Sequence, residues 1–191
     1  MGRWEPNARE RLVRAAVDLF AEHGYDATTV TEIAERAGGL TKTTFFRYFP
    51  DKREVLFVGQ EIHSRLLADA IAAAPDSATP LQAVAAALDA ITATFSGDRR
   101  DFSARLKVVI DANSELRERA VFKRAALAEA MTGALNKRGV PDPAASLAAE
   151  LGVRAFYIAF DAWSDPANQQ TLADAARQTF DELRAAIAAL D

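Results

Sequence analysis

The residues best equipped for chemistry lie together between positions 41 and 53. Lys42, Arg47, Lys52 and Arg53 stand there against Asp51 alone, with Thr43, Thr44 and Tyr48 interspersed. Cationic side chains neutralise phosphate, hydroxyls donate to it, and an Arg or Lys can reach the O6 and N7 acceptors of guanine in a major groove. That is the chemistry of duplex recognition. Bond-breaking chemistry has no comparable cluster. His23 and His63 lie on different predicted helices and match no metal-ligand spacing, and the chain has no cysteine. No G-x-S-x-G, P-loop or G-x-G-x-x-G occurs, so the pattern argues against an enzyme.

The elements that must present these groups are helices. Ala, Leu, Glu, Arg and Asp dominate, and no stretch alternates at period two. Three helix starts carry a capping oxygen with Glu three positions on: Asn7 to Glu10, Thr29 to Glu32 and Asp51 to Glu54. The first helix is predicted over 8–23, with Leu12, Ala16, Leu19 and Phe20 inward and Gly24 after it. A short second helix, 30–37, ends at Gly38-Gly39. Thr41 then caps a very short third helix that Pro50 stops. Two short helices joined by a glycine turn and braced by a third make a helix-turn-helix, whose second helix can enter a major groove. A long connecting helix is predicted over 51–74, and five more near 79–96, 101–112, 114–138, 143–164 and 167–190. The expected fold is all-α, with nine helices. It divides into a DNA-binding domain over 1–50 and a helical ligand-binding and dimerisation domain over 51–191.

Charge distribution fits this division. The 191-residue chain carries a net charge of −4, yet residues 1–60 balance nine basic against nine acidic side chains, so the deficit lies in 61–191. No apolar run approaches the roughly 20 residues that cross a bilayer, and the N-terminus has no signal-like apolar core. A cytoplasmic protein without cofactor or metal is the expectation.

From Thr29 to Phe57 the chain resembles the DNA-binding region of the TetR/AcrR family, which reads roughly T-V-x-x-I-A-x-x-A-G-V-S-x-x-T-x-Y-x-Y-F-x-x-K-x-x-L. Thr29, Val30, Ile33, Ala34, Ala37, Gly38, Thr44, Tyr48, Phe49, Lys52 and Leu56 stand at matching places. The resemblance covers about residues 8–60 by motif. It implies Thr29, Thr31, Lys42, Thr43, Thr44, Phe46, Arg47, Tyr48 and Lys52 as DNA-facing. On physical grounds Lys52, Tyr48 and Thr44 would hold the backbone while Arg47 or Lys42 reads a guanine edge. Arg3 and Arg9 would add an arm contact, with Trp4 structural. The chain departs from the family pattern in two ways. Ala37-Gly38-Gly39-Leu40-Thr41 holds one residue more than the family's turn, and Thr31 and Phe46 replace a common basic residue and a tyrosine.

The last two helices carry more apolar surface than one core uses. Leu147, Leu151, Ala155 and Ile158 make one stripe on 143–164, while Val153, Phe156, Phe160 and Trp163 make another. On 167–190, Leu172, Ala176, Leu183, Ile187 and Leu190 share a face, with Phe180 nearby. Pairing both helices with their copies would give an isologous four-helix bundle. That homodimer would offer two reading helices about 34–36 Å apart to a near-palindromic operator. Phe95, Phe102, Leu106, Ile110, Phe122, Met131, Phe156 and Tyr157 are core residues or the lining of an effector pocket. Arg105, Asn113, Arg154 and Asp161 are the polar groups nearby, and Arg154 and Asp161 stand two turns apart on one face. The resemblance implies repression relieved by a small molecule, which would shift the position of the 51–74 helix. A helical interaction module without DNA binding is the alternative. Burial of the Thr41–Phe49 face against the body would favour it.

Overall fold

A computed structural model describes residues 8–190. Arg3, Trp4 and the Asn7 cap lie outside the described residues. Among the described residues there are nine α-helices, two short 3-10 turns and no strand. The chain divides into two compact units. The first holds residues 8–58 together with 105–120, and the second holds 59–104 and 121–190.

In the first unit, α1 (Ala8–His23) packs on α2 (Val30–Arg36), α3 (Lys42–Tyr48) and a 3-10 turn at Arg53–Phe57. The stripe predicted for α1 is buried: Leu12 and Ala16 are fully enclosed, as are Ile33 and Ala34 of α2 and Phe45 of α3. Phe45 and Phe49 pack with tilted rings, centroids 5.1 Å apart, so the aromatic pair four residues apart anchors α3 inward. The Thr29 capping box forms in full. Part of α6 (Arg100–Ala112) and the start of α7 (Ser114–Lys137) complete this unit, burying Val109 and Leu116.

The predicted continuous helix over 51–74 is not one helix. Asp51 does accept from the backbone N–H of Glu54 at 3.0 Å, but the turn that follows is 3-10, and α4 runs only over Gln60–Ala73. Between them Gly59 takes φ +94°, a left-handed conformation that glycine adopts without a Cβ penalty. The Glu54 carboxylate does not return to Asp51 to close a capping box. It meets the Arg119 guanidinium instead.

The second unit is built from α4, α5 (Pro80–Thr92), the rest of α7, α8 (Ala144–Ser164) and α9 (Leu172–Ala188). Its core runs from Leu67 and Ile71 through Val84, Leu88, Ile91, Met131 and Leu135 to Phe156, Trp163 and Phe180. Alanines at 145, 148, 149, 155 and 159 are all buried, which lets α8 approach its neighbours closely. The two apolar stripes expected on α8 separate only in part, since Leu151 and Ala155 of the first are buried along with Val153, Phe156 and Trp163 of the second. Ala155, Phe156 and Trp163 are enclosed, while Leu147 (66 %) and Ile158 (41 %) remain exposed. On α9, Leu172, Ala176 and Phe180 are buried, whereas Ile187 and the following Leu190 are exposed. No helix among the described residues is long and apolar enough to cross a membrane.

Candidate nucleic-acid interface

The turn between α2 and α3 absorbs its extra residue with two successive left-handed glycines, Gly38 (φ +98°) and Gly39 (φ +72°). Gly38 and Gly39 both donate their N–H groups to Glu35 O, at 3.1 and 2.9 Å, and Leu40 N–H closes the loop on Ala34 O at 2.9 Å. Arg11 of α1 braces the turn from below, donating from Nε to Ala37 O at 2.7 Å. The carbonyls left without partners at the end of α2 are thereby satisfied. Thr41 then starts α3 by accepting from Thr44 N–H at 3.1 Å. Sequence reasoning missed Arg11, because its partner lies 26 residues away.

On α3, Lys42, Thr43 and Arg47 are exposed, as is Phe46 at 45 %. No polypeptide covers this face within its unit. Lys42 Nζ lies 5.9 Å from the Phe46 ring centroid, and the Arg47 guanidinium 5.1 Å from that of Tyr48. Both cations therefore rest on aromatic faces, and neither makes an ion pair among the described residues. Phe46 thus has a local role that an exposed phenylalanine otherwise lacks. Tyr48 and Thr44 are half-buried, and the Thr44 hydroxyl is 3.0 Å from that of Thr41.

Other residues expected to face DNA are engaged elsewhere. The Thr29 hydroxyl donates to Glu32 at 2.7 Å, and the Thr29 N–H donates to the same oxygen at 2.7 Å. These bonds hold the Glu32 carboxyl below its ordinary range. Thr31 is exposed. Arg53, part of the basic strip, pairs with Asp51 at 3.2 Å and Glu115 at 3.3 Å. Lys52 departs furthest from expectation: its ammonium points into the protein. It donates to Tyr25 O at 2.7 Å and Thr28 O at 2.9 Å, and lies 4.1 Å from the Tyr25 ring centroid. Burial pulls its pKa down, while the Asp26 and Glu115 carboxylates pull it back up. Burial likewise pushes the Tyr25 hydroxyl to about 12. The cationic strip facing outward thus contracts to Lys42 and Arg47. Arg9 is exposed on the first turn of α1.

The residues expected around an effector scatter. Phe95, Phe156 and Tyr157 come together in the second unit, with Phe95 and Phe156 centroids 5.8 Å apart and Phe156 and Tyr157 5.4 Å. Phe160 and Trp163 join the cluster. Phe122 is 62 % exposed, Asp161 and Arg154 are exposed, and Phe102 is half-buried. Leu106 and Ile110 are half-buried and belong to the first unit. There Arg105 pairs with Asp18 at 2.7 Å and Asn113 caps α7. The void bordered by Met131 and Phe156 measures only about 10 Å³, at the lower limit for one water. The sequence reading missed Arg124, whose guanidinium lies 4.1 Å from the Tyr157 ring centroid. It also missed a groove of about 580 Å³ between α4 and α7, lined by Arg65, Ala68, Asp69, Glu129, Gly133 and Lys137.

Comparison with known proteins agrees with this geometry. Residues 12–57 match the family described as bacterial regulatory proteins, tetR family. The HTH-type transcriptional regulator TcmR of Streptomyces glaucescens is 37 % identical over 83 residues, covering 44 % of this chain and 36 % of TcmR. The matched stretch therefore spans about a third of that relative. Across the fold, the chain is similar to Bacillus subtilis FadR in complex with stearoyl-CoA, with TM-score 0.62, 20 % identity, and coverage of 91 % of this chain and 96 % of FadR. It is also similar to SmeT, the repressor of the Stenotrophomonas maltophilia multidrug efflux pump SmeDEF. That match has TM-score 0.55, 20 % identity and coverage of 93 % and 89 %. Residues 12–57, which contain the helix-turn-helix at 30–48, are thus similar to the tetR family of bacterial regulatory proteins, and the chain as a whole shares the all-α fold of FadR and SmeT.

Proposed function

We propose that this chain is a ligand-responsive repressor of the cytoplasm that binds a near-palindromic duplex operator as a homodimer. One observation carries the reading: α3 presents Lys42 and Arg47 outward on aromatic supports, with Thr43 beside them and no carboxylate between Thr41 and Phe49. Arg47 is assigned to a guanine edge and Lys42 to a base edge or phosphate. Thr31, Thr43, Thr44, Phe46 and Tyr48 supply backbone and sugar contacts. Thr29 and Lys52 act behind this surface by holding α2 in place. DNA recognition is assigned to residues up to 50, and dimer and effector roles to those beyond.

Leu147 and Ile158, eleven residues apart and so on one face of α8, support dimerisation through α8 and α9 together with Ile187 and Leu190. The effector is assigned to the neighbourhood of Phe95, Phe156 and Tyr157, where Arg124 offers a cation. FadR, solved with stearoyl-CoA, shares this fold and supports an effector role for the helical body. The void that Phe156 borders on its Met131 side holds only about 10 Å³, so an effector entering there would displace side chains and select a less compact state. A rigid 51–74 lever does not carry over, since Gly59 interrupts it.

The test is selection from a randomised duplex library by the full chain, followed by titration of the enriched duplex over a range of salt. Enrichment of two inverted half-sites about one helical turn apart, with affinity falling steeply in salt, is the expected result. Equal binding to every duplex would overturn the assignment.

A further inference from the structure

We infer that Lys52 is a positioning residue that clasps the helix-turn-helix shut from within rather than a phosphate contact. Thr28 immediately precedes Thr29, the cap of α2, and Lys52 lies four residues beyond the end of α3, so the Lys52 Nζ to Thr28 O bond of 2.9 Å joins the two ends of the segment that reads DNA. The second bond, to Tyr25 O at 2.7 Å, ties the same ammonium to the loop after α1. Aromatic faces complete the seat, with Tyr25 at 4.1 Å and Phe20 at 6.0 Å. The loop itself is pinned from its other side, where the Thr28 hydroxyl donates to Gly24 O at 2.9 Å. Opening the clasp would free the entry to α2 and the exit from α3 together. The tilt of α3 against the groove would then lose one of its fixed references.

The site is specific for lysine. Two carbonyl oxygens and a ring face surround a point charge, and an ammonium on a flexible stem meets all three. A planar guanidinium is larger, and its donors form a rigid fork. At a phosphate the preference reverses, because arginine serves there at least as well as lysine. The two roles therefore predict opposite behaviour for the conservative variant.

This inference rests on the DNA-binding reading, and the experiment separates the two. The full chain, K52M and K52R would be titrated over a range of salt with the duplex enriched by the wild type and with a shuffled duplex of equal length. Amide hydrogen exchange would be followed without DNA. We expect both variants to lose about tenfold or more on the enriched duplex. On the shuffled duplex they should lose nothing, and the salt slope should be unchanged. Exchange should accelerate across residues 24–29 and α3 while α1 stays protected. A slope reduced by about 0.9 in K52M, while K52R keeps wild-type affinity and slope, would make Lys52 a phosphate contact and overturn the inference. Unaltered affinity of the folded variants would reduce it to packing and overturn it equally. Because exchange needs no DNA, unchanged exchange sinks the clasp even if the wild type selects no duplex. That last outcome would count against the regulator reading itself.

Discussion

Arg11 and Gly38 fit against each other so closely that Arg11 Nη2 lies 2.7 Å from where a Cβ on residue 38 would stand. The same guanidinium holds the end of α2 through Ala37 O. A side chain at 38 would meet both a left-handed backbone and an occupied space, whereas Gly39 has nothing within 4 Å of that point. Gly38→Ala is therefore expected to lower stability by about 1–2 kcal/mol or more and to weaken DNA binding. Gly39→Asn should be nearly neutral, since Asn tolerates this conformation. Thermal melts of the two variants check the contrast, and equal losses would refute it.

Arg47→Ala should cost about 1–3 kcal/mol of operator affinity and relax preference at one base position. Lys42→Ala should weaken binding more evenly across sequences if its role is phosphate, and reduce the salt slope by about 1. Competition titrations against duplexes altered at single positions distinguish them. Unchanged affinity and selectivity in the Arg47 variant would remove the reading role from α3.

Leu147→Glu and Ile187→Glu each place an unpaired charge on the exposed apolar faces of α8 and α9. Each is expected to raise the dimer dissociation constant about tenfold or more and to lower DNA affinity with it. Ile62→Glu, on the exposed side of α4, should leave assembly unaltered. Sedimentation velocity across a concentration series reports the outcome. Monomers in all three, or dimers in all three, would move the interface elsewhere.

His63 packs against Phe95, with ring centroids 5.7 Å apart. Burial, followed by the nearby Arg99 charge, holds its pKa below the ordinary 6.5. As pH falls below 6.5 the unfolded chain takes up a proton that the folded chain resists. Stability is therefore full above that pH and declines as acid approaches the folded-state pKa. His63→Phe should flatten the dependence of melting temperature between neutral and mildly acidic pH. An identical slope in the variant would exclude His63 as its source.

Much of the reading head was legible because its signals are local. Thr29 with Glu32, Thr41 with Thr44, the paired glycines and Pro50 each act within a few residues, and all mark real boundaries. Phe45 and Phe49 stand four apart, a helical spacing that by itself places both on one face of α3. Gly59 was not, since a lone glycine within an apolar-periodic stretch is compatible with a continuous helix at a cost of about 1 kcal/mol. Burial of Val55 and Leu56 in a 3-10 turn follows from tertiary packing that no short window contains. The fates of Lys52 and Arg53 were equally hidden. A carbonyl and a phosphate attract the same ammonium, and Glu115 lies 62 residues from Arg53. Phe122 shows the limit for effector residues: an aromatic on a long helix reads as lining, yet it is 62 % exposed.

The doubled glycine between α2 and α3 bears on how such regulators change their targets. A backbone unit inserted where handedness is already reversed leaves Ile33, Ala34 and Phe45 enclosed, so the interior pays no penalty for it. What the insertion can alter is the pitch and offset at which α3 departs. Two proteins with identical reading side chains could then prefer different operators through one added codon, a route to new specificity that touches no contact residue.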